Sequence, residues 1–400
     1  MTENSLYKCD KILSFEGKFK NEDALYIENG FIKDISSFKN LRTKYPNVRV
    51  REFKNSLFIP PVVNAHTHLE LSGIDKEKLD FSNEINWIVS LIKEKRTKNE
   101  LFFKHSFEFG KSLMEKSCAS YYGNIISKFL LKFFKFSENE SLFNFVEVLC
   151  YNKTEIENIF KEVRKYRRLS PHTFFTVHPE LMLKIFELEN VNLAIHLFES
   201  LSETEYLYNN RGAVVDTLYK FTNLSPVKSD LHIEKFIDHL LKKKKAKVQF
   251  VHLCYLSENF KKYILKNRKK IGVPVLCPRS NLILKNKLNF KFFIDNNLDF
   301  ALGTDSLCSN NDIEVFNEAK FIYNEINNKN NGEHIALTLL KALTVNGIYS
   351  LMLPEKFYPF ELNGFANFTI IKNPQKGKKI YYREIFENFE ELFLEKHLCG

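Results

Sequence analysis

Apolar and polar positions fall into three regimes along the chain. Near the start they alternate over short runs: Leu6-Tyr7-Lys8-Cys9, Ala24-Leu25-Tyr26-Ile27, the pair Asn29-Gly30, then Phe31-Ile32-Lys33-Asp34-Ile35. Asn-Gly between alternating runs predicts a tight hairpin, because both residues tolerate positive φ. Residues 366–371 and 379–382 repeat the strand-like pattern near the other end. The two ends together predict one small β-sandwich. In between, short apolar runs alternate with segments long enough for a helix. The runs fall at 57–64, 119–126, 143–149, 173–177, 193–196, 248–252, 273–277 and 300–303. Eight such alternations predict an α/β fold, a (β/α)₈ barrel of the kind that takes about 250 residues. The expected division is 1–57 for one half of the sandwich, 58–350 for the barrel and 351–400 for the other half.

Composition narrows the setting. The 400 residues are 44% hydrophobic and 27% charged, ordinary values that exclude wholesale disorder. The most apolar stretch, 128–136, is cut by Lys132 and Lys135, and a membrane helix needs about 20 apolar residues. Residues 1–12 lack the apolar core of a secretory signal. Seven cysteines, an odd number without paired spacing, fit free thiols in a reducing cytosol. The net charge of +10 raises the question of a nucleic-acid partner. Lysine is spread along the whole chain, however, and the one dense run, 242–245, precedes a predicted strand as a solvated helix end. The expectation is a cytoplasmic protein with neither a nucleic-acid nor a membrane partner.

Barrel active sites gather at the C-terminal ends of the strands. The first run leads into His66-Thr67-His68, whose imidazoles point the same way on an extended chain and so reach one ion. The fifth ends in His196-Leu-Phe-Glu199, the sixth in Val251-His252, the eighth in Gly303-Thr-Asp305. Each is unremarkable alone, since a single histidine on an apolar strand is usually a hydrogen-bonded core residue. Their joint placement at one end of one barrel carries the inference of a metal site. Imidazoles with a carboxylate suit Zn²⁺ or Fe²⁺ and leave a position for water, which the ion would acidify into a hydroxide nucleophile. Attack on an unsaturated C–N centre also needs a proton at the ring nitrogen, for which Glu199 is placed.

These residues resemble the amidohydrolase superfamily. The match runs through Asn64-Ala-His-Thr-His-Leu-Glu70, Ser170-Pro-His172, His196-Leu-Phe-Glu199, Val251-His252, Cys277-Pro-Arg-Ser-Asn281 and Leu302-Gly-Thr-Asp-Ser306. It looks most like the branch of aminohydrolases and chlorohydrolases that deaminate nucleobases and nucleosides or dechlorinate triazines. The resemblance implies that His66, His68, His196 and Asp305 ligate one divalent metal, zinc before iron. It implies that Glu199 shuttles a proton to a purine ring. It also implies that His252 orients the attacking hydroxide and that Asp305 takes the water proton. A small-molecule purine nucleoside would be the substrate, and a homodimer is common among such enzymes. A cytidine-deaminase type of zinc site is excluded, because it needs a CxxC pair that the chain lacks.

Four residues are expected to read the substrate. His172 would contact it near the metal. Trp87 either stacks on the purine or packs in the core. Glu84 either accepts ribose hydroxyls or is a solvated helix residue. Arg279 would hold a carboxylate on the substrate's tail by a bidentate pair, or else pair with a loop carboxylate.

Overall fold

The computed structural model describes residues 4–14, 18, 20–134, 141–227, 232–326, 332–372, 382–387 and 393–397. Eight parallel strands form its centre: β1 (Val63–Thr67), β2 (Tyr121–Ile126), β3 (Leu142–Val148), β4 (Arg168–Pro171), β5 (Asn192–Leu197), β6 (Lys247–His252), β7 (Val275–Leu276) and β8 (Ala301–Leu302). They pair in sequence order, each beside the next. A parallel bridge between Thr67 and Asp305 brings the last strand's end back to the first. There the Asp305 N–H donates to the His66 carbonyl (3.0 Å), and Thr67 Oγ1 donates to the Asp305 carbonyl (3.0 Å). Asn64 and Thr304 add a reciprocal pair across the same seam: Asn64 Nδ2 donates to Thr304 Oγ1 (2.7 Å), and Thr304 N–H donates to Asn64 Oδ1 (3.1 Å).

Strands covered on both faces are almost wholly apolar, as in Asn192–Leu197, so the polar residues at their ends are conspicuous. Helices pack around them by the three-four spacing. In Ile233–Lys243 the buried positions are Ile233, Phe236, Ile237, Leu240 and Leu241.

Two four-stranded sheets flank the barrel. One is ordered Phe31–Ser36, Ala24–Glu28, Ser5–Lys8, Arg49–Glu52; the other Phe393–His397, Phe368–Lys372, Ser56–Ile59, Lys11–Ile12. The second joins both ends of the chain. Tyr7, Leu25 and Ile32 of the first sheet share a core with Phe58, Phe368 and Ile370 of the second. The Asn29-Gly30 turn has φ of 50° and 82°, the left-handed pair that a two-residue hairpin requires.

Three expectations need correction. The apolar run at 57–64 is not one strand. Its first part pairs with Phe368–Lys372 in the small sheet, and Pro60-Pro61 breaks the run before β1. The fourth strand is Arg168–Pro171; within 173–177, residues 174–176 form a turn and Val177 makes an isolated parallel bridge to Cys150. There Thr173 and Thr176 bond each other's backbone and hydroxyls, which offers the chain an alternative to a ladder. Of the expected strand at 379–382, residues 379–381 lie outside the described residues, and Tyr382 opens the helix Tyr382–Glu387. Among the described residues, no helix is long and apolar enough to cross a membrane.

Candidate metal and catalytic site

At the carboxyl end of the barrel, the Nε2 atoms of His68 and His196 each lie 3.2 Å from that of His66. Asp305 Oδ1 is 3.5 Å from His68 Nε2 and 3.7 Å from His66 Nε2. A neutral imidazole carries a single N–H. His196 Nδ1 faces the His172 carbonyl at 3.1 Å, and since a carbonyl accepts only, that nitrogen bears the proton. The Nε2 lone pair of His196 is therefore aimed at the cluster. Three ring nitrogens converging beside a carboxylate are the kind of donor set that a cation would join. Their spacing is close to the edge of a tetrahedron with bonds of about 2.0–2.1 Å to nitrogen. The donors fit a divalent metal.

Burial, aided by the neighbouring imidazoles, holds the His66 and His196 pKa values well below the ordinary histidine value, so both rings are neutral ligands. Burial by itself would raise the Asp305 carboxyl. The imidazoles of His68, His252 and His66 outweigh it and bring its pKa to about 2. Asp305 Oδ2 also accepts from Ser280 Oγ (2.8 Å) and Ser309 Oγ (2.7 Å), which leaves Oδ1 turned to the histidines.

Glu199, His252 and Asp305 form a second group, with ligating atoms within 4.8 Å of one another. Glu199 Oε1 lies 3.6 Å from His252 Nε2. Burial first, then the carboxylates of Glu84, Asp305 and Glu203, push the Glu199 pKa well above the ordinary value, which favours its protonated form. Burial lowers His252 to about 4. Backbone strain collects here. Phe198, His252, Leu253 and Asp305 all have φ between 52° and 77°, each at a cost of roughly 1–3 kcal/mol.

The cluster opens into a cavity with about 1050 Å³ of empty space, its solvent-filled mouth included. His68, His172, His196, Glu199, His252 and Asp305 line it. Glu84 and Trp87 line it too. Glu84 is buried rather than solvated, and burial raises its pKa to about 7. Trp87 packs in the core and lines the cavity, and its Nε1 donates to the Cys308 carbonyl (3.1 Å). His172 follows β4 directly, on the cavity wall, with Nδ1 3.1 Å from Thr176 Oγ1.

Arg279 is a correction. Its guanidinium grips Asp312 through two bonds (2.9 and 2.8 Å) and lies 3.5 Å from the buried Glu318. The fork is filled from within, and Arg279 is absent from the cavity lining. The loop-carboxylate alternative is the one the structure supports.

Among the lining residues that escaped the sequence reading are Glu203 and Lys95. Glu203 accepts from the Glu199 N–H (2.7 Å), and its own N–H donates to Ser200 Oγ (3.0 Å). The Ser200-x-x-Glu203 spacing, a capping-box pattern after a strand, was the available signal. Lys95 was visible as helical periodicity, eight residues beyond Trp87.

A (β/α)₈ barrel that gathers histidines and carboxylates at the carboxyl ends of its strands defines the class of barrel metallohydrolases. The chain belongs to the amidohydrolase family, whose model matches residues 95–389. Among curated proteins it is similar to an adenosine deaminase of Helicobacter pylori, 26% identical over 323 residues, covering 75% of this chain and 76% of that one. It is also similar to an aminodeoxyfutalosine deaminase of Nitratiruptor sp., 25% identical over 311 residues, covering 72% and 73%. Among solved structures, Helicobacter pylori aminofutalosine deaminase in complex with methylthio-coformycin matches with a TM-score of 0.82 at 21% identity over 99% of each chain, a likeness of fold.

Proposed function

We propose that the protein is a metal-dependent hydrolytic deaminase of a 6-aminopurine nucleoside, with 6-amino-6-deoxyfutalosine as the preferred substrate. That choice would place it on the futalosine route to menaquinone, in the cytoplasm. The carrying observation is a pair of carboxyl groups, Glu199 and Asp305, whose pKa values are pushed in opposite directions beside a cluster of three histidines at the cavity. The similarity to the Nitratiruptor enzyme supports the choice of nucleoside. The six described cysteines are free thiols, which supports a reducing compartment.

His66, His68, His196 and Asp305 would hold one divalent ion, Zn²⁺ before Fe²⁺. When bound, such an ion acidifies water to a hydroxide available at neutral pH. Glu199 gives its proton to the purine nitrogen next to the amino-bearing carbon, which makes that carbon electrophilic. His252, neutral, faces the same point and orients the attacking oxygen. Asp305, ionised and fixed by two serines, accepts the proton released by water and returns one to the departing amine. In balance, the nucleoside and one water give the 6-oxo nucleoside and ammonia. Glu84 and His172 bind the nucleoside, and Trp87 forms a flat wall beside it.

The Helicobacter relative's name makes adenosine the second candidate. Metal-loaded protein is therefore offered aminodeoxyfutalosine, adenosine, methylthioadenosine and S-adenosylhomocysteine, and the conversion of adenine to hypoxanthine is followed by ultraviolet absorbance. A preference for the first supports the reading. A preference for another keeps the chemistry and replaces the substrate. Turnover of none overturns it.

A further inference from the structure

One wall of the cavity is a single face of helix Glu84–Arg96. Glu84, Trp87, Ile88, Leu91, Ile92 and Lys95 recur at three and four residues and all line it. Eleven steps separate Glu84 from Lys95, about 16 Å of helix axis. The chemistry changes along that face from carboxylate to indole to aliphatic to ammonium. Leu149 and Tyr151, just beyond β3, add apolar surface to the lining. Among the described residues, Lys95 is the one lysine or arginine that lines the cavity.

The lysine is not consumed by its neighbours. Its charge reaches Glu70, Glu147 and His172, but among the described residues no ion pair joins it to a carboxylate. Both Glu70 oxygens are taken by Ser127, from N–H (2.7 Å) and Oγ (2.6 Å). Glu147 stays ionised: burial opposes this, but Lys95 and the nearby imidazoles outweigh burial. With no ion pair to it among the described residues, the ammonium has hydrogen-bond donors to offer a single carboxylate carried on an apolar stem.

We infer that Lys95 is the specificity-determining residue for the nucleoside's 5′ substituent, and that this substituent is apolar and ends in a carboxylate. The inference rests on the nucleoside-deaminase reading and replaces Arg279 in the part first expected of it. A methionine at position 95 keeps the aliphatic stem against Leu91 and Ile92 and removes only the charge.

The test is binding as well as turnover, on metal-loaded wild type, Lys95→Met and Lys95→Arg. Calorimetry measures three 6-oxo products: futalosine with its benzoate tail, methylthioinosine with an uncharged tail, and S-inosylhomocysteine with a zwitterionic one. Lys95→Met is expected to weaken futalosine binding about ten- to hundredfold and methylthioinosine binding less than about twofold, with Lys95→Arg recovering most of the loss. The KM for aminodeoxyfutalosine should rise in parallel while kcat stays within about twofold. Equal weakening of all three products, no weakening, or failure of the wild type to bind futalosine overturns the inference. A greater loss for the zwitterion than for the benzoate overturns the tail chemistry. If the wild type binds futalosine through Lys95 yet deaminates none of the four nucleosides, the deaminase reading falls and the role of Lys95 stands.

Discussion

Glu199 and Asp305 belong to one cluster, yet their surroundings push them in opposite directions. Burial among carboxylates raises the Glu199 pKa, while three imidazoles lower that of Asp305. Pairs of groups pushed apart in this way mark the acid and the base of a reaction. Glu199→Gln keeps the shape and loses the transferable proton. It should retain its metal by elemental analysis and lose about 10²- to 10⁴-fold in kcat. Normal turnover would remove Glu199 from the mechanism. Arg279 makes the contrasting case. Arg279→Ala strips the cation from Glu318, which is fully buried, and should destabilise the fold by about 3 kcal/mol in denaturant unfolding. Its KM should be equally unaffected for nucleosides with and without a carboxylate tail. The ligand candidates were legible in the chain because histidine and aspartate are conspicuous at the ends of apolar strands. Arg279 was misplaced because its partner, Asp312, lies 33 residues away and nothing local announces it.

At the scale of elements, the strands were legible where apolar runs were long and unbroken, as in β5 and β6. They were not where side chains compete with the ladder. The threonines of 173–177 have β propensity, but their hydroxyls bond one another and the local backbone. The run at 57–64 failed differently, since two sheets share it and only the proline pair shows where one hands over to the other. The end of β8 carries a further constraint. A Cβ at Gly303 would sit 2.7 Å from His66 Cβ and 2.9 Å from the His66 backbone nitrogen. Gly303→Ala should therefore displace a ligand through the backbone of a different strand. Zinc affinity, read by competition with a chelating dye, should fall about ten- to hundredfold. An unchanged affinity would mean that the seam yields without moving His66.

Across the whole molecule, the small sandwich ties the two ends of the chain together, and His397 gives it a pH dependence. Its ring packs tilted against Tyr7 and Phe368, with centroids at 4.8 and 4.6 Å. Burial, then Arg51, lowers its pKa from 6.5 to about 4. A base whose folded pKa is depressed contributes its full stability above about pH 6.5 and loses it as pH falls toward 4. His397→Phe should flatten that part of the curve of Tm against pH; parallel curves would show that the ring is not the titrating group.

The seam has a consequence in time. Thr67 and Asp305 meet across 238 residues of chain, and the residues on either side of that meeting include the candidate metal ligands. Contacts so distant in sequence are the slowest to form. The ability to capture an ion with full affinity should therefore arise late, after the strands between have found their places. In stopped-flow refolding with a zinc-sensing dye, tight uptake should coincide with the last kinetic phase and be missing from the burst. Holding metal would then be a property of the finished fold, and an incompletely assembled barrel would leave the cell's zinc alone.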